Sequence, residues 1–110
     1  LATFGFGTSL LDALVLSVVS RTGKEGAYGY KITQDLRRVI DISETTLYPV
    51  LRRLLKDGCL TSYNQECAGR NRRYYRLTAL GDEQLSRYQI EWRDYRDRVQ
   101  NVLFGGLENE

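Results

Sequence analysis

Arg70, Arg72 and Arg73 stand within four residues of one another, just after the turn signal Ala68-Gly69. Fourteen to twenty-eight residues earlier come Thr45, Thr46, Tyr48, Arg52, Arg53 and Lys56. Guanidinium groups donate up to five N–H bonds in a planar fork that suits phosphate oxygens and the guanine edge; hydroxyls supplement them. Residue types in this order fit the gripping of a polyanionic duplex, with a helix in a groove and a hairpin on phosphates. Arg52 is the candidate for a base-edge contact. Arg70, Arg72 and Arg73 are candidates for phosphate or minor-groove contact, and Lys31 for a phosphate beside the preceding helix. The plainer reading is a solvated helix face and a charged hairpin tip that resists edge-to-edge pairing.

Two elements must position these groups. Ser43 to Lys56 has apolar residues at Leu47, Val50, Leu51 and Leu54, the stripe of one helical face. At 100° per residue, Thr45, Pro49, Arg52 and Lys56 then lie opposite, flanked by Tyr48 and Arg53. Asp41 and Ser43 are candidate caps, and Gly58 is the expected stop. Pro49 removes one backbone hydrogen bond inside this helix and is expected to bend it. Leu60 to Gln65 and Arg72 to Thr78 read as a strand pair turning near Ala68-Gly69-Arg70. Tyr75 and Leu77 share one face of the second strand; Arg72, Tyr74 and Arg76 share the other.

Upstream, Leu10 to Ser20 is densely apolar and predicts a largely buried helix capped by Thr8 or Ser9. Arg21 to Gly29 is expected to be a loop, and Tyr30 to Ile40 a second helix with Ile32, Leu36, Val39 and Ile40 inward. Downstream of Ala79, Leu85, Tyr88, Trp92, Tyr95, Val99 and Val102 recur at spacings of 3, 4, 3, 4 and 3. That is a heptad seam, expected to form a homodimer interface and also able to fold back onto Leu10 to Val19. The expected layout is therefore an N-terminal arm over 1–9, a winged helix-turn-helix over 10–78, a long dimerisation helix over 79–105 and a tail over 106–110. The fold class is α+β, mostly α.

Charge supports the same division. Net charge is +2 over 110 residues, but residues 21–78 hold twelve Lys/Arg against six Asp/Glu, whereas 79–110 hold four against seven. Positive charge concentrated on one segment marks a polyanion-binding face better than overall pI does. The chain has no histidine, and Cys59 and Cys67 match no metal spacing and lack an evident activating partner. Neither an enzyme, a cofactor nor a metal site is expected, and the thiols read as reduced and structural. No apolar run approaches the roughly 18 residues of a membrane span, and no signal peptide is evident, so a cytoplasmic setting is expected. With no methionine, the start is expected to be trimmed or altered.

Tyr28-Gly29-Tyr30, Thr46-Leu47-Tyr48-Pro49, Leu51-Arg52-Arg53-Leu54, Lys56-Asp57-Gly58 and the run Gly69-Arg70-Asn71-Arg72-Arg73-Tyr74-Tyr75 through Gly81 resemble the PadR-like transcriptional regulators. The resemblance covers about residues 10–103. It implies a bacterial, dimeric winged-helix repressor on a pseudo-palindromic operator, of the compact branch with one helix after the wing. By similarity to a multidrug-sensing member of that branch, Asp12, Leu16, Gln84, Trp92 and Arg96 would line a pore at the dimer centre. There Trp92 would stack on a planar aromatic effector. Tyr88 stands where that relative has a small residue; it is a further candidate ligand contact, and two such rings could instead fill the pore. Asp12 would either neutralise a cationic ligand or pair with Arg96. The alternative function is a winged-helix protein–protein module that does not bind DNA.

Overall fold

A computed structural model describes residues 8–23 and 26–105. Seven elements follow in order: α1 (Thr8–Ser20), β1 (Ala27–Tyr28), α2 (Gly29–Leu36), α3 (Glu44–Lys56), β2 (Leu60–Cys67), β3 (Arg70–Leu77) and α4 (Ala79–Phe104). The expected arm over 1–9 lies outside the described residues up to position 7, and so does the tail over 106–110. The side chains of Thr8 and Ser9, the expected caps of α1, are likewise outside them.

Helices α1, α2 and α3 enclose one core because each carries a closely spaced apolar stripe. Val15, Leu16 and Val19 meet Ile32 and Leu36 from α2 and Leu47, Val50, Leu51 and Leu54 from α3. Leu60, Tyr75 and Leu85 close it from the sheet and α4. Ser43 caps α3, its Oγ accepting from the Thr46 N–H at 3.3 Å. Gly58 follows the helix in the left-handed region at φ 79°. Helix α3 runs through Pro49, which has no N–H to donate to the Thr45 carbonyl one turn back.

The second helix stops four residues short of expectation. Arg37 to Ile40 form a turn in which the N–H groups of Val39 and Ile40 both reach the Leu36 carbonyl. Arg37 Nε also donates to the Ile42 carbonyl at 2.9 Å, fixing the turn into α3.

The sheet holds three strands in the order β1-β3-β2, all antiparallel. Within the stretch expected to be a loop, Ala27 pairs with Tyr75 and Tyr28 with Tyr74. Glycine is required at Gly26, where a Cβ would lie 2.5 Å from the Tyr75 carbonyl oxygen. The hairpin is longer than expected, with Cys67 opposite Arg70 across a two-residue turn. Ala68 at φ 54° and Gly69 at φ 78° give that turn the handedness that suits a tight hairpin. The Cys67 side chain lies outside the described residues; Cys59 is a free, buried thiol whose burial raises its pKa.

Helix α4 starts at a junction with no room for a side chain. Thr78 Oγ1 accepts from the Gly81 N–H at 2.9 Å and donates to the Gly58 carbonyl at 2.6 Å. A Cβ on Gly81 would sit 2.0 Å from the Cys59 carbonyl oxygen. The helix then runs 26 residues to a left-handed Gly105 cap. Leu85 is buried and Tyr88 half-buried against α1, whereas Val102, Leu103 and Phe104 are exposed. The described body is elongated, 61 × 27 × 21 Å. None of its helices is long and apolar enough to cross a membrane.

Candidate nucleic-acid interface

The start of α3, the start of α2 and the tip of the β2–β3 hairpin flank a single cleft of about 470 Å³. Tyr48 and Glu44 reach it from α3, Tyr28, Gly29 and Tyr30 from the β1–α2 junction, and Arg70 to Arg73 from β3. Of the expected DNA contacts, Tyr48, Arg70, Arg72 and Arg73 are thus brought together. Thr45, Thr46, Arg52 and Lys56 are exposed on α3 outside the cleft lining.

The hairpin arginines are held by its aromatic rings. Tyr28, Tyr74 and Tyr63 stand side by side across the three strands, because Tyr74 pairs with both others in register. Ring centroids are 5.4 Å apart for Tyr28–Tyr74 and 5.6 Å for Tyr63–Tyr74. The Arg72 guanidinium lies 4.5 Å over the Tyr28 ring and that of Arg76 4.5 Å over Tyr63. A cation stacked on a ring face keeps its N–H fork pointing outward while losing some of its rotamer freedom in advance. On the other face of the hairpin, Arg73 Nε donates to Ser62 Oγ at 3.1 Å.

Tyr48 is fixed from two sides. Its hydroxyl donates to Glu44 Oε1 at 2.8 Å. Its ring lies over Gly29, where a Cβ would stand 3.3 Å from the ring edge. The bond to Glu44 is the main reason the phenol pKa is raised, so it stays protonated as a donor. Glu44, Tyr28, Tyr30 and Asn71 belong to the cleft although they were not among the expected contacts. The motif Tyr28-Gly29-Tyr30 was the available signal for two of them.

Two expected contacts lie elsewhere. Lys31 is on another surface with Arg21 and Arg38, its Nζ 3.5 Å from Asp35. Arg53 turns inward and forms an ion pair with the buried Asp12 of α1. The Asp12 carboxyl pKa is nevertheless raised, because burial outweighs the hydrogen bond and charge of Arg53.

This pair also corrects the expected effector pore. Asp12 bonds Arg53 and not Arg96, whose guanidinium meets Asp97 at 3.2 Å. Leu16 is fully buried within one subunit and leaves any pore wall. Tyr88 and Trp92 do share a cleft, of about 370 Å³, with Leu10, Leu14, Ile40 and Leu85 between α1, α4 and the turn after α2. Gln84 is half-buried outside that lining.

Helix α3 beside a basic, ring-braced hairpin, on a three-helix core, defines a winged helix-turn-helix domain followed by a long C-terminal helix. The chain belongs to the PadR-like transcriptional regulator family, whose family model matches residues 15–87. It is 37% identical to the transcriptional regulator Rv3488 of Mycobacterium tuberculosis, over 67% of this chain and 70% of that one. The solved structure of smu.1704 from Streptococcus mutans superposes with a TM-score of 0.81 at 36% identity, covering 94% of this chain and 95% of the other. A PadR family transcription regulator from Clostridium difficile gives a TM-score of 0.74 at 29% identity, over 84% and 97%. The family is one of transcriptional regulators rather than enzymes.

Proposed function

We propose that the chain is a homodimeric, effector-responsive repressor acting on DNA in the cytoplasm. The observation that carries the reading is the single cleft bordered by the exposed start of α3 and by Arg70, Arg72 and Arg73. Helix α3 enters the major groove with Thr45, Thr46, Tyr48 and Arg52, while the hairpin grips flanking phosphates. Lys56 adds positive charge nearby. Arg53 contributes by anchoring α3 to α1 through Asp12.

Two such heads need a clamp. The seam of α4, with Trp92 and Val102 exposed and Tyr95 and Val99 half-buried, is the surface that a second copy covers. Two reading helices then meet a pseudo-palindromic operator in successive major grooves, about 34 Å apart. The apolar cleft at Tyr88 and Trp92 is the place for a planar aromatic effector, next to the seam whose packing sets the spacing of the heads. A molecule favouring one spacing over the other shifts the fraction able to bind operator.

The test is to select bound fragments from genomic DNA and footprint them. The reading predicts two protected half-sites one helical turn apart per dimer. Protection of a lone half-site contradicts it. Quenching of Trp92 fluorescence by planar aromatic cations tests the effector part, which a flat response across a broad panel removes.

A further inference from the structure

Among the described residues, the cleft between α3 and the hairpin has one acidic lining residue, Glu44, facing three arginines. In a groove built for phosphates, a carboxylate repels the very group its neighbours attract. One explanation is local: Glu44 is the first residue of α3 and favours the positive end of the helix dipole. That role asks only for negative charge near the terminus and leaves the side chain free to face solvent. Here the carboxylate is aimed instead. Tyr48 donates to its Oε1 at 2.8 Å, and Tyr48 itself is seated against the Gly29 backbone. Two elements therefore hold Glu44 in one orientation, and its carboxylate has a second oxygen able to accept.

We propose that Glu44 is a specificity-determining residue that accepts a hydrogen bond from the N4 amine of a cytosine in the major groove. This inference rests on the reading of α3 as the groove-entering helix. An ionised carboxylate accepts and cannot donate. Guanine presents O6 and N7 and thymine presents O4, all acceptors that repel it. Adenine offers its N6 amine, but N7 sits beside it as a second acceptor. Cytosine alone gives a donor without an adjacent acceptor. Residues at the start of a reading helix are the ones that meet base edges, and Glu44 occupies that place. Its repulsion of phosphate lowers binding to unrelated DNA, so attraction and rejection favour the same sites.

The experiment measures affinity for all four base pairs at each position of a selected half-site, using the wild-type protein, Glu44→Gln and Tyr48→Phe. The wild type prefers cytosine at one position by roughly tenfold or more. Glu44→Gln loses that preference, gains adenine there because an amide can bond both N6 and N7, and binds unrelated DNA more tightly. Tyr48→Phe narrows the cytosine preference without moving it to adenine. Retention of the full cytosine preference by Glu44→Gln, or a wild type indifferent to cytosine at every position, overturns the proposal while leaving DNA binding intact. A wild type that binds no duplex at any salt overturns both the proposal and the reading beneath it.

Discussion

The hairpin head and the far end of α4 are built on opposite terms. In the head, polar groups already have partners within one subunit: Arg72 on Tyr28, Arg76 on Tyr63, Arg73 on Ser62, Tyr48 on Glu44 and Arg53 on Asp12. At the tail, Val102, Leu103 and Phe104 are 67%, 71% and 81% exposed. Preorganised charge binds a charged partner without first paying to order it. Exposed apolar surface gains only when it is covered. One end is finished within one subunit, and the other leaves apolar side chains uncovered.

The largest effect is expected where that contrast is sharpest. Val99→Asp combined with Val102→Asp puts charge into the seam and raises the dimer dissociation constant by about three orders of magnitude. Sedimentation over a concentration series measures this; an unchanged constant would remove α4 from the interface. Next, Gly81→Ala drives a methyl into the Cys59 carbonyl and destabilises the fold by about 3 kcal/mol in urea unfolding. Arg73→Ala, on the finished head, stays within about 0.5 kcal/mol of wild type in the same assay.

A smaller effect comes from Asp12. Its folded pKa lies above the unfolded value, so the native state holds the proton more tightly between the two. Stability therefore falls as pH rises through that window and remains lower above it. Asp12→Asn flattens this decline, and urea midpoints across the acid range would show it. A wild-type curve that rises through the same window would contradict the burial-dominated account. A change of the opposite sign is Ala68→Asn, which suits the left-handed turn position better than alanine and stabilises the hairpin by about 1 kcal/mol.

The helices of the core were legible because Leu47, Val50, Leu51 and Leu54 repeat at helical spacing, and tertiary packing used that face unchanged. The arginine-tipped hairpin was legible from alternation and its turn residues. Strand β1 was not, since two residues carry no period and its pairing arises only at the edge of β3. The inward turn of Arg53 was hidden too. Helical angle places it at the border of the exposed face, and a buried carboxylate 41 positions away decides its direction. Leu16 was misplaced for a related reason: a helix apolar on most sides does not reveal which side meets a second subunit. Glu44 carries no distinguishing signal in the sequence because acidic first-turn residues are commonplace, and its bond to Tyr48 exists only in the folded helix.

The claim that the ring-braced hairpin grips the DNA backbone is tested most directly by operator affinity measured against salt concentration. The account predicts that Arg72→Ala and Arg73→Ala each lower the slope of log affinity against log salt by roughly one unit. Slopes equal to that of the wild type would contradict it.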